Sequence, residues 1–188
     1  MQTDEDLCDR PGWNSYSVIA HEYFHIYQIS LSKGRMEPKW LVEGGAKVLE
    51  EMFVQQYYGR NSLRNDLGRR ELWNDMVFTN PHLYESHSTS PHQAETGAVD
   101  GNYAGSAFMV LALVNELQRN NVSEEEAFRL VFRDFWVANA SEPRWKAAFE
   151  KTFGMDVHDF YDQMGSYSRR DARKILPSRS LTLQDIFM

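Results

Sequence analysis

At 188 residues, with 42% hydrophobic and 25% charged side chains, the chain can bury a sizeable core and is too ordinary in composition to be disordered or fibrous. Its net charge of -7, with no dominating basic patch, excludes the usual nucleic-acid binder, which needs Lys and Arg to displace counterions from phosphates. The single cysteine, Cys8, permits no intrachain disulfide, no apolar run approaches the roughly 20 residues that span a bilayer, and the polar, acidic start does not resemble a signal peptide, so a soluble α-rich domain over residues 1–188 is expected.

The pattern is helix after helix, with almost no strand alternation. Ser15 or Ser17 reads as the cap of a first helix ending near Ser30. Gly34 and Pro38 then break the chain before a second helix from Lys39 to Tyr58. An Arg-rich third helix is expected over 62–77, weakened by Gly68. Residues 79–102 carry Asn-Pro, Ser-Pro and two glycines and read as a loop, and a loop that long inside a domain is more often functional than idle.

Further helices follow. One comes after Tyr103; one is opened by the capping box Ser123–Glu126 and buries Ala127, Leu130, Val131 and Phe135; one opens at Ser141 with Trp145, Ala148 and Phe149 inward. Phe153-Gly154 stops that helix, and Asp156 starts another with Val157, Phe160, Tyr161 and Met164 inward. The basic stretch Arg169, Arg170, Arg173 and Lys174 reads as a solvated helix end.

His21-Glu22-Tyr23-Phe24-His25 is an H-E-x-x-H segment. On a helix its two histidines, four apart, share a face, so both imidazoles can reach one zinc at about 2.0–2.1 Å. Glu22, one step round the helix, points beside the metal, where a carboxylate can take a proton from activated water. A histidine pair without metal fits the same five residues. The second segment, Trp40-Leu41-Val42-Glu43-Gly44-Gly45-Ala46, sets a carboxylate at the start of the next helix, so Glu43 completes a three-ligand set with a fourth position left for water. Glu50, seven residues on and nearly two turns away, shares the face of Glu43 and could accept a ring N–H from a liganding histidine; an exposed carboxylate is the alternative.

Together these two segments resemble the gluzincin peptidases, most closely the peptidase MA-like group related to leukotriene-hydrolase-type aminopeptidases. The resemblance implies a zincin-like helical domain, one Zn2+ on His21, His25 and Glu43, Glu22 as general base, Glu50 supporting a ligand, and a peptide or protein substrate. Tyr103-Ala104-Gly105-Ser106 is similar to the family's Tyr-x-x-Gly helix start, which makes Tyr103 either a hydrogen-bond donor to the tetrahedral oxyanion or a packing residue. Thr152-Phe153-Gly154 followed by Phe160 resembles its closing helix pair. Only twenty residues precede the motif where the family has a mixed β-sheet, so an α-rich unit without that sheet is expected. No Gly-x-Met-Glu-Asn segment precedes the motif, so aminopeptidase specificity is not implied. A zinc hydrolase of another bond, or a zinc-stabilised binding domain without turnover, would carry the same ligands. His82, His87 and His92 fall in the long loop, read as solvated, as a lid, or as a weak second metal site.

Overall fold

The helical spacing of apolar residues is realised over most of the described chain. The structure, a computed structural model, describes residues 13–60, 63, 67, 76–86 and 100–188, and among these there are helices and no strand. In chain order they are α1 (Trp13–Ser32), α2 (Lys39–Tyr58), the single turn α3 (Met76–Thr79), a 3-10 turn (Pro81–Glu85), and α4 (Asp100–Arg119). After these, α5 (Glu124–Arg129) runs through a π segment (Leu130–Asp134) into α6 (Phe135–Asn139), and α7 (Trp145–Phe153), α8 (Val157–Met164) and α9 (Leu183–Phe187) close the chain. Most of the expected 62–77 helix, the loop from residue 87 to 99 with His87 and His92, and Cys8 lie outside the described residues.

Local chemistry explains where the helices begin and end. α1 starts at Trp13, ahead of both serines expected to cap it, and Ser17 is buried within the helix instead. It runs on to Ser32 and stops where Gly34 takes φ 84°, a left-handed conformation glycine adopts without a Cβ clash. α2 has its expected bounds and is closed by Gly59 in the same conformation. Ser123 accepts the Glu126 N–H at 3.2 Å and Asp156 the His158 N–H at 2.7 Å, so both residues cap their helices, but the Glu126 side chain accepts from Arg129 at 2.6 Å and only the Ser123 half of the expected capping box is seen. The helix expected from Ser141 starts at Trp145; the Ser141 hydroxyl donates back to the Ala138 carbonyl at 3.0 Å and finishes α6. The stretch around Arg169 is a turn rather than a helix end, organised by Asp171, which accepts from the Ser168 N–H and hydroxyl and from Lys174.

The core gathers on α4. Every residue from Ala107 to Val114 is buried, the mark of a helix enclosed on all sides. α2 lies against it and α1 lies against α2. A Cβ on Gly44 would stand 2.3 Å from the Ser106 carbonyl oxygen, well inside van der Waals contact, so only glycine lets α2 and α4 approach this closely. Trp40, fully buried at the start of α2, stacks on Phe160 of α8 at 5.5 Å and donates its indole N–H to the Tyr161 hydroxyl at 3.1 Å. Phe132 in the π segment meets Phe24 edge-on at 5.3 Å. Both segments singled out in the sequence are thus anchored from behind, Phe24 fixing α1 and Trp40 fixing the first turn of α2.

Candidate metal centre

Because α1 and α2 pack side by side, the His pair on one meets the first turn of the other. The His21 and His25 Nε2 atoms are 3.1 Å apart, and Glu43 Oε2 lies 3.7 Å from the first and 3.4 Å from the second. These three side chains form a group able to hold a metal ion. A tetrahedral ion held at about 2.0–2.1 Å separates its ligand atoms by about 3.4 Å, and the three edges of this triangle scatter around that value.

The hydrogen bonds behind the rings decide what faces the centre. His21 Nδ1 is 3.2 Å from Glu50 Oε2. An ionised carboxylate only accepts, so His21 carries its proton on Nδ1. His25 Nδ1 is 2.8 Å from Gln28 Oε1, and the Gln28 amide is oriented by donating its Nε2 to the Val42 carbonyl at 3.2 Å. His25 therefore also donates from Nδ1. With both rings neutral, the two Nε2 lone pairs and the Glu43 carboxylate would converge with no proton among them, a set of acceptors that a positive charge, a proton or a metal ion, would satisfy.

Electrostatics likewise favour positive charge at this point, which the rings of the metal-free protein supply by holding protons. Burial alone would lower the His21 pKa, but hydrogen bonds and proximity to Glu43 and Glu50 outweigh it and raise it to about 9. For His25 burial is likewise outweighed, here by Glu43 and the Gln28 hydrogen bond, and its pKa is raised. Burial would raise Glu43, but the two imidazoles bring it down to about 2. Glu50 is also lowered: against burial act His21, Lys47 and the Ser17 hydroxyl, with Lys47 Nζ at 3.3 Å.

The structure brings together His21, His25, Glu43 and Glu50 as the sequence suggested, and it sets Tyr103 beside them, half-buried, with its ring edge-on to His21 at 6.0 Å. Glu22 is exposed on the neighbouring face of α1. That face also exposes Val18, Ile19, Tyr23, Ile26 and Ile29. His82 is not part of this group: it lines a separate cleft of about 550 Å³ with His158, Tyr161 and Asp162. Sequence reasoning overlooked Gln28, whose position three residues after His25 and seven after His21 puts a polar side chain on the ligand face. It also mistook Ser17, one turn before His21, for a cap. Comparison with known protein families, curated proteins and solved structures finds no match to this chain.

Proposed function

We propose that this protein is a zinc-dependent hydrolase of peptide bonds, built as a zincin-like helical domain of the gluzincin type. What supports the reading is the convergence of the His21 and His25 Nε2 atoms and Glu43 Oε2, 3.1 to 3.7 Å from one another. The donor set, two imidazoles and a carboxylate with a hydrogen-bonded partner behind each ring, suits zinc at a site with an open fourth position. His21 Nε2, His25 Nε2 and Glu43 Oε2 would hold the ion, which when bound polarises a carbonyl and lowers the pKa of water to about 7.

The remaining work belongs to the chain. Glu22, exposed and adjacent in sequence to His21, accepts a proton from the attacking water as its oxygen adds to the peptide carbonyl carbon. It then delivers that proton to the leaving nitrogen as the C–N bond breaks, giving a carboxylic acid and an amine. Tyr103 donates a hydrogen bond to the developing oxyanion. Glu50 and Gln28 hold the two rings with their Nε2 atoms inward.

A second reading, a zinc-stabilised binding domain without turnover, draws on one observation: Glu22 stands on an exposed, largely apolar helix face rather than inside a closed cleft. Elemental analysis together with Glu22→Gln separates the two. The hydrolase binds one zinc per chain in both forms, and the substitution lowers cleavage of a peptide library by about 10²-fold or more. Zinc uptake without cleavage by the wild type selects the binding domain, and a wild type that folds and takes up no zinc ends both readings.

A further inference from the structure

Gln28 is fully buried, and its amide is used at both ends. Oε1 accepts from His25 Nδ1 at 2.8 Å, and Nε2 donates to the Val42 carbonyl at 3.2 Å. Val42 precedes Glu43, so one side chain links the ring of a ligand on α1 to the backbone turn that carries a ligand on α2. Its amide packs over Gly45, where a Cβ would lie in ordinary van der Waals contact, 3.5 Å from Gln28 Nε2 and 3.4 Å from the Phe24 ring. An apolar side chain of equal volume would fill the space with no polar atoms to satisfy, whereas a buried amide costs stability unless both ends are bonded. Filling space alone does not call for an amide here.

We propose that Gln28 is a positioning residue of the metal centre, turning His25 Nε2 inward and holding the α1 and α2 ligands in register. The inference rests on the zinc reading above. It also makes the two histidines unequal: His21 is backed by the charged carboxylate of Glu50, and His25 by a neutral amide. A charged partner raises imidazole basicity more than a neutral one, so replacing the amide by a carboxylate alters the ligand field without removing the acceptor.

The test uses the full chain as wild type, Gln28→Met and Gln28→Glu. Zinc affinity is measured by competition with a chromophoric chelator, the cobalt-loaded forms by their visible absorption bands, and the metal-free forms by helix content and Tm. Gln28→Met keeps the volume and loses both hydrogen bonds, and is expected to weaken zinc binding by about 10- to 100-fold. Gln28→Glu keeps the acceptor for His25 but loses the donor to the Val42 carbonyl, and is expected to bind more weakly than wild type yet more tightly than Gln28→Met, with a displaced cobalt band. Zinc binding by Gln28→Met equal to wild type, or equal weakening in both variants, overturns the proposal, since packing alone would then explain the residue. If Gln28→Met does not fold, Gln28→Glu decides: weakened zinc binding with a displaced band supports the proposal, and wild-type affinity or an unchanged band overturns it. A wild type that takes up no zinc overturns the functional reading and this inference with it, an outcome distinct from the failure of Gln28 alone.

Discussion

If this centre takes up zinc as proposed, the ion must displace a proton to enter. In the metal-free protein His21 has a pKa of about 9, so near neutral pH it is about 99% protonated, and the occupied lone pair weakens apparent zinc affinity by about 100-fold relative to the fully deprotonated site. Affinity should then tighten by about tenfold for each pH unit up to about 9, and more steeply where the raised pKa of His25 adds a second proton. Glu43, held down at about 2, is already ionised and releases nothing. Calorimetric titration with zinc in buffers of different ionisation enthalpy counts the protons directly; at least one should leave per zinc bound near neutral pH. Affinity that is flat between about pH 6 and pH 8, with no proton released, would refute the argument.

The same groups give the metal-free fold its own pH signature. A raised His21 pKa stabilises fully below the unfolded value of 6.5, and that contribution fades as pH rises through about 9. A lowered Glu43 pKa stabilises above 4.5 and fades as pH falls toward 2. The cluster therefore supports the metal-free protein best between those two limits. The His21 shift corresponds to about 3 kcal/mol at most, reduced to about 2 by partial solvent access, and it is the same interaction that lowers Glu43, to be counted once. Zinc reverses the alkaline slope, because the bound form gains stability as the protons leave.

Three further outcomes are expected. Glu50→Gln should weaken zinc binding by about 10- to 100-fold, measured by chelator competition, because His21 loses its charged partner. Tyr103→Phe should lower kcat by about tenfold or more while leaving zinc content unchanged in elemental analysis; an unchanged kcat would return Tyr103 to a packing role. Gly44→Ala should cost about 1–3 kcal/mol by denaturant unfolding, because its Cβ would meet the Ser106 carbonyl at 2.3 Å.

Much of this was legible in the chain because the signals are local. The spacing of His21 and His25 fixes a helix face, and Gly34 and Gly59 mark where α1 and α2 stop. Ser123 and Asp156 announce helix starts through side chains that reach only two or three residues. What escaped depends on partners far along the chain. Ser17 looks like a cap until Glu50, 33 positions later, is brought to it across the α1–α2 contact. Gln28 looks like an ordinary polar residue until Val42 supplies the carbonyl for its amide. At Ser141 a plausible capping residue lost to the end of α6, whose Ala138 carbonyl takes its hydroxyl. α9 had no apolar stripe long enough to find, although its capping box, Thr182 with Asp185, stands in the sequence.

The close approach at Gly44 bears on what the second segment means as a pattern. Read along the chain, Glu43-Gly44 looks like one signature with one purpose. In space the two residues answer to different constraints: Glu43 turns toward α1 and the histidines, and Gly44 lies against the backbone of α4. They are neighbours only because one helix turn serves both. A variant of this chain with no metal to hold would be free to change Glu43 and still obliged to keep Gly44. Of the pair, the carboxylate carries information about chemistry, and the glycine about how near two helices stand.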